Sequence, residues 1–139
     1  MAEQNSNWRV GFSFEIEIHE RKDTEMTIAT VSEKVGISAD TLRYYERIGL
    51  IPTVRRNKSG NREYTEEDCS RVEFIKCMRD SGLSIKRLME YFYLFQQGDR
   101  TIERRRNLLI EHRKNIMEKI EEMKKTVERL DGKISRYGY

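Results

Sequence analysis

Between Ile28 and Leu50 the chain reads I-A-T-V-S-E-K-V-G-I-S-A-D-T-L-R-Y-Y-E-R-I-G-L. Ile28, Val31 and Val35 recur at helical spacing and give a first short helix an apolar face. Gly36 follows at the point where a helix ends on a left-handed residue, a conformation glycine adopts without steric cost. Ser38 is a good N-cap for a second helix, and Thr41 stands at its N3 position. That helix is expected to turn Leu42 and Ile48 inward. Arg43, Tyr44, Tyr45 and Arg47 are left to be shared between packing and the outside. A helix, a glycine turn and a second helix with basic and aromatic outer groups describe a helix-turn-helix.

The residues that follow extend this unit. Gly49, Leu50, Ile51 and Pro52 stop the second helix, and T-V-R-R-N-K-S-G-N-R-E-Y runs from Thr53 to Tyr64. Two short extended runs flank the polar turn Asn57-Lys58-Ser59-Gly60-Asn61, which predicts a hairpin. A hairpin carrying Arg55, Arg56, Lys58 and Arg62 beside such a helix makes a winged helix-turn-helix. Thr65 then opens a third helix, with Asp68 placed for a capping box and Val72, Ile75 and Met78 on its apolar face. That helix ends near Ser81-Gly82. Ser84 caps a fourth helix through Gln97, with Ile85, Leu88, Phe92 and Phe95 on one face.

These motifs, T-L-R-Y-Y-E-R-I-G-L-I-P, then G-N-R-E-Y, then F-I-K-C-M-R-D-S-G-L-S-I, occur in one order and at fixed separations. In this the chain resembles the MerR family of bacterial transcription regulators, by motif from about Thr27 to Gly98 and by architecture to its end. The resemblance implies a mainly α fold: a winged helix-turn-helix domain over residues 26–98, then a dimerisation helix over 99–139 that forms an antiparallel coiled coil. It implies a homodimer on double-stranded promoter DNA, seated on a palindromic operator in an overlong spacer. The dimer would bend and untwist the DNA so that RNA polymerase, an indirect partner, engages. A cytoplasmic, nucleoid-associated regulator involved in stress response is the expected setting.

The long helix also shows itself in its own pattern. Ile116, Ile120, Met123, Val127, Leu130 and Ile134 form a heptad seam. Extended backwards, the seam passes through Arg113, Leu109, Arg106 and Ile102, of which only Leu109 and Ile102 are apolar. One apolar stripe on a long helix cannot bury itself, so a second subunit is expected to cover it. Asp131-Gly132 predicts fraying after Leu130.

Charge placement agrees with a reading head. The net charge is +3, but residues 38–64 alone carry net +3, and residues 65–99 carry net −2. That separation suits an electrostatic footprint on DNA. Arginine and tyrosine are common phosphate donors, which marks Arg43, Tyr44, Tyr45 and Arg47 on the helix. Of the two tyrosines, Tyr45 is the one expected to pack inward. On the wing, Arg55, Asn57, Lys58 and Arg62 are expected at phosphates, and Arg62 and Tyr64 also stand in the family's G-x-R-x-Y pattern. Ser38, Ala39, Asp40 and Thr41 form the turn that helix-turn-helix proteins place at base edges. Their short side chains predict sparse direct readout and more reliance on DNA shape.

Cys77 lies between Lys76 and Arg79 in F-I-K-C-M-R. Cations near a thiol raise its thiolate fraction, and members of the aldehyde- and nitrosative-stress branch carry a cysteine in a similar context. Cys77 is therefore a candidate redox or electrophile sensor; the plainer alternative is a small core residue. Cys69 has Glu66, Asp68 and Glu73 near it to oppose a thiolate. The spacing of the two cysteines is too long for a disulfide within one helix, so reduced thiols are expected. Metal-responsive branches group ligands around the dimer helix. This chain has no cysteine after Cys77 and only His112 on that helix, which is expected to be solvated or on the seam.

No metal or cofactor is expected. No nucleophile–base pairing or phosphate loop suggests an enzyme, and no apolar run is long enough for a bilayer. The competing readings are an effector-independent DNA-architectural protein and a coiled-coil interaction module. Residues 1–25 fall outside the resemblance. V-G-F-S-F-E-I-E-I over Val10–Ile18 alternates like a strand. With Met26 directly ahead of T-I-A-T-V, one expectation is that Met26 is the native start and residues 1–25 an upstream extension. The alternative is an added sheet strand.

Overall fold

The computed structural model describes residues 25–138. The strand expected over Val10–Ile18 lies outside them. In chain order the helices are α1 (Ile28–Val35), α2 (Ala39–Arg47), α3 (Glu66–Asp80), α4 (Ile85–Gln96) and α5 (Ile102–Ser135), with a 3-10 turn over Asp99–Thr101. The chain divides into two compact units, one ending at Thr101 and the other beginning at Ile102.

In the first unit, hydroxyl and acidic caps define where each helix begins. The Thr27 hydroxyl accepts the Thr30 N–H at 3.1 Å, and the Ser38 hydroxyl accepts the Thr41 N–H at 3.1 Å. Thr65 and Asp68 form the expected reciprocal capping box, both bonds at 3.0 Å. Ser84 caps α4 through the Arg87 N–H at 3.1 Å. Each such cap stabilises its helix by about 1 kcal/mol. The turn between α1 and α2 depends on Gly36, which sits at φ 78° and donates its N–H to the Ser32 carbonyl. A Cβ at Gly36 would take a strained backbone and approach Lys76 Cε to 3.3 Å.

Val31, Leu42, Leu50, Val72, Ile75 and Leu88 are completely removed from solvent and join α1, α2, α3 and α4 through one core. Burying side chains of this size stabilises the fold by roughly 1.5–3 kcal/mol each before entropy is counted. Ile48 is only half-buried; Leu50 and Ile51 take the inner position beyond the helix end. On α4 the buried residues are Leu88, Tyr91, Phe92 and Leu94, while Ile85 and Phe95 are half-buried. The rings explain the shift. Phe74 of α3 stacks on Tyr91 at 5.5 Å and meets Phe92 edge-on at 6.0 Å. The Arg71 guanidinium covers the other ring at 4.2 Å from the Phe92 centroid.

The wing is a hairpin, but among the described residues its limbs form no strands. One isolated pair sets Arg56 opposite Arg62, and a second sets Met26 opposite Tyr64. The Glu63 N–H donates to the Arg55 carbonyl at 2.7 Å, and the Asn57 N–H to the Asn61 carbonyl at 2.8 Å. Met26 and Tyr64 exchange both backbone bonds at 2.8 Å. Like charges face each other at the first pair, which weakens it. The returning limb then leaves its hairpin partner and pairs with the segment ahead of α1. A longer ladder is thereby cut short.

In the second unit, α5 runs for 34 residues. Ile120, Met123, Val127, Leu130 and Ile134 of the seam are exposed in the single chain, and Ile116 and Leu109 are half-buried. Further back the burial leaves the expected line. Arg105, Leu108 and His112 are buried, whereas Arg106 and Arg113 are exposed. A straight helix drifts about 20° per heptad from a strict seam, and exposed guanidinium groups keep their hydration. His112 is thus buried rather than solvated. Burial, and secondarily the charge of Lys119, pushes its pKa down. α5 runs on past Leu130, where fraying is expected, to Ser135. Gly132 stays within the helix, since the roughly 1 kcal/mol it costs relative to alanine does not end a helix this long.

Candidate nucleic-acid interface

The centre of the reading head is an acidic residue. The Glu46 side chain, near the end of α2, accepts the Arg62 Nε–H at 2.7 Å on Oε1 and the Val54 N–H at 3.1 Å on Oε2. One carboxylate therefore holds both limbs of the wing to α2. The Arg62 and Glu46 side chains retain only 19% and 11% of their exposure, so water screens this pair far less than a surface one. Burial alone would raise the Glu46 pKa. The Arg62 and Val54 hydrogen bonds, with the charges of Arg62 and Arg56, outweigh it and hold the carboxyl below its ordinary value. Glu46 was absent from the expected site. Its signal was an acid one turn beyond Arg43 in an otherwise basic and aromatic helix.

Around this clamp, α2 presents Arg43, Tyr44 and Arg47 to solvent. Arg43 Nη1 pairs with Asp40 at 2.8 Å, but Asp40 is almost fully exposed and competes weakly in water. The Arg47 guanidinium carbon lies 5.4 Å from the Tyr44 ring centroid, a cation–π distance that keeps both groups together on the surface. Ser38 and Thr41 are bound to each other: the Ser38 hydroxyl donates to Thr41 Oγ1 at 2.8 Å while accepting the Thr41 N–H.

On the wing, Lys58 is exposed at the tip. Arg55 is exposed and lies 3.7 Å from Glu25 and 3.9 Å from Glu63. Asn57 Oδ1 accepts the Ser59 and Asn61 N–H groups, both at 3.0 Å, so this side chain shapes the loop. Arg56, outside the expected set, reaches across it to the Gly60 carbonyl at 2.8 Å.

One expected contact needs correction: Tyr64 is buried, so its ring does not reach the surface. Tyr45, named among the contacts but also as the tyrosine expected to pack inward, takes the inward place. Tyr45 lies on the inner face of α2 with Leu42, its ring 6.1 Å from that of Tyr44. Tyr64 is pulled under the wing by its backbone pairing with Met26. Its hydroxyl is buried without a hydrogen-bond partner. Burial first, then Glu46 and Asp68, raises its pKa against the opposing charges of Arg62 and Arg43.

Cys77 is exposed on α3, and Cys69 is buried. The Cys69 thiol is pushed up by burial and by the charges of Glu73, Glu66 and Asp68 against that of Lys34. Lys76 Nζ bonds Asp80 at 3.0 Å, and Arg79 Nη1 bonds the Leu83 carbonyl at 3.1 Å. Among the described residues no group of three or more His, Cys, Asp or Glu side chains is arranged to hold a metal ion. No helix among them is long and apolar enough to cross a membrane.

Two family profiles match in succession. The MerR HTH family regulatory protein profile covers residues 26–94, and the profile named MerR, DNA binding covers residues 69–133. The chain belongs to the MerR family of DNA-binding transcriptional regulators. Its MerR relatives include the HTH-type transcriptional regulator AdhR of Bacillus subtilis (strain 168), 56% identical over 93 residues. That match spans 67% of this chain and 66%, just under two thirds, of AdhR. An uncharacterised HTH-type transcriptional regulator of Haemophilus influenzae is 37% identical over 80% of this chain and 82% of its own length. Among solved structures, HiNmlR, a MerR family regulator lacking the sensor domain, bound to promoter DNA, superposes with a TM-score of 0.77. It is 36% identical, over 82% of this chain and 86% of that one.

The clamp in this MerR-family head makes a pH prediction. Because folding lowers the Glu46 pKa, its stabilisation is complete above the unfolded value and is lost as pH falls through the folded value. Glu46→Gln is expected to lower stability at neutral pH by roughly 1–3 kcal/mol, since Arg62 loses its counter-charge in a half-dry site. Urea unfolding followed from neutral pH down to about pH 3 should show wild type and variant converging below about pH 4.5. A constant gap across that range would mean that the ionised carboxylate is not what stabilises the wing.

Proposed function

We propose that two copies of the chain bind a palindromic promoter operator and distort it, so that RNA polymerase is affected through the path of the DNA. The observation that carries this reading is the exposed row Arg43, Tyr44 and Arg47 on α2, beside a wing clamped to the same helix. Guanidinium and phenol groups on one helix, next to Arg55, Arg56 and Lys58 on a rigid hairpin, suit a phosphate-lined groove. Residues 26–98 act as the reading domain in this account, and residues 99–139 pair the two copies. The exposed seam of α5 supports the pairing: five large apolar residues in heptad register on one helix call for a second helix.

The mutual bonding of Ser38 and Thr41 sharpens how the operator is read. Hydroxyls committed to a helix cap offer little to base edges, so sequence preference comes largely from the cost of deforming the duplex. The promoter DNA in the HiNmlR structure is consistent with this use of the same fold. Cys77 supplies the switch. It is exposed on α3, so an electrophile or oxidant reaches it without the fold opening.

Two measurements test the reading. Fluorescence anisotropy on a duplex selected from random sequence should yield a palindrome, its half-sites related by the twofold of the dimer. Arg43→Ala should weaken that binding and flatten the log–log salt slope by roughly 0.9; an unchanged affinity and slope would remove α2 from the interface. In vitro transcription from the selected promoter should respond to an added electrophile with wild type and lose that response with Cys77→Ser while DNA binding persists. Equal responses would end the sensor role.

A further inference from the structure

Gly36 ends α1 at φ 78° and has no side chain to cover the turn into α2. A residue of α3 covers it instead. A Cβ at Gly36 would lie 3.3 Å from Lys76 Cε and 3.9 Å from Lys76 Nζ. The Lys76 stem therefore lies along the turn, with its ammonium at the C-terminal end of α1. That end carries the negative pole of the helix, where a cation is favourable. α1 packs against both α2 and α3, and only Gly36, Ile37 and Ser38 separate it from α2. The turn is thus the short link that sets how α2 is presented.

A lysine stem loses much rotamer freedom when it lies still on a surface, so it needs an anchor. Here the anchor is Asp80, whose Oδ2 accepts from Lys76 Nζ at 3.0 Å. As a helix-stabilising pair the arrangement is poor. The acid is C-terminal to the base, the weaker order for an i,i+4 pair. It also stands on the last residue of α3, where the macrodipole opposes a negative charge. What the pair does achieve is to hold the ammonium over Gly36. The Lys76 side chain keeps 36% of its exposure against 67% for Asp80, so the stem is partly covered rather than free in solvent.

We infer that Lys76 is a positioning residue for DNA reading: its stem, anchored by Asp80, holds the turn between α1 and α2 and so sets the seat of α2. The inference rests on the reading that α2 meets the operator. It adds a determinant on α3, at the turn rather than among the groups that touch DNA. A turn held before binding loses less freedom on binding, which is how a residue outside the interface raises affinity. Counterion release is unaffected, because Lys76 neutralises no phosphate in this role.

The sign of one substitution separates this role from plain charge. Removing an acid from a DNA-binding chain strengthens binding when only net charge counts. Asp80→Asn is instead expected to weaken it about threefold, since Lys76 loses its anchor. Fluorescence anisotropy with the full chain and a selected operator measures this, under conditions where circular dichroism shows every variant folded. Lys76→Met keeps the stem and loses the anchor, so it should match Asp80→Asn. The two combined should be no worse than either alone, because they break one link. Lys76→Ala, which removes the stem as well, should weaken binding about tenfold. All of these variants should keep the wild-type log–log salt slope. Unchanged or tighter binding by Asp80→Asn overturns the role. So does a slope flattened by roughly 0.9 in Lys76→Ala, which would make Lys76 a phosphate contact. Arg43→Ala, run alongside, separates the two failures: an unchanged affinity there would instead overturn the operator reading.

Discussion

The reading head depends on the Glu46 carboxylate. An isolated hairpin of this size is marginal in water, and among the described residues this one has a single cross-limb bridge, with two arginines facing each other. Its attachment to α2 comes from elsewhere. Glu46 holds the Val54 N–H on one limb and the Arg62 guanidinium on the other, and the Met26 pairing fastens the end of the second limb. The basic wing is therefore an extension of α2 rather than a loose loop. A negative charge inside a positively charged head is a cost for DNA affinity taken alone. It is offset because a prepositioned donor loses less entropy on binding than a mobile one.

Local periodicity made much of this legible. The α1 face, the Gly36 turn, the Ser38 cap and the Thr65–Asp68 capping box all depend on residues within four positions of one another, where helical spacing is a direct guide to geometry. The seam of α5 is likewise a one-dimensional pattern, and its C-terminal half shows the predicted exposed stripe. Contacts that skip along the chain were not legible. Nothing in spacing announces that Glu46 will meet Arg62, sixteen positions away. Tyr64 looked like a surface tyrosine in a basic hairpin until its backbone pairing with Met26 drew it inward. Asn57 looked like a phosphate donor, yet its oxygen organises the loop that carries Lys58. Polar residues on a turn have two employments, local and external, and composition does not separate them.

The division of labour follows. In the proposed function, α2 and the wing supply donors for the backbone, while the first turn of α2 has its hydroxyls bound in the cap. An interface strong on phosphates and poor in base edges discriminates through the energy of bending and untwisting. In the proposed function, deformation of that kind needs two anchored heads, which pairing through the uncovered seam on α5 would supply. The accessible thiol of Cys77 lies on α3 rather than on α2 or the wing.

The central claim is that one carboxylate makes α2 and the wing a single body. Amide hydrogen exchange of Val54 measures this directly, because its N–H is bound to Glu46. The account predicts that Val54 is protected in wild type and that Glu46→Ala speeds its exchange by about tenfold or more, while amides within α3 keep their rates. Equal Val54 rates in the two proteins would show that the wing is held by something other than Glu46.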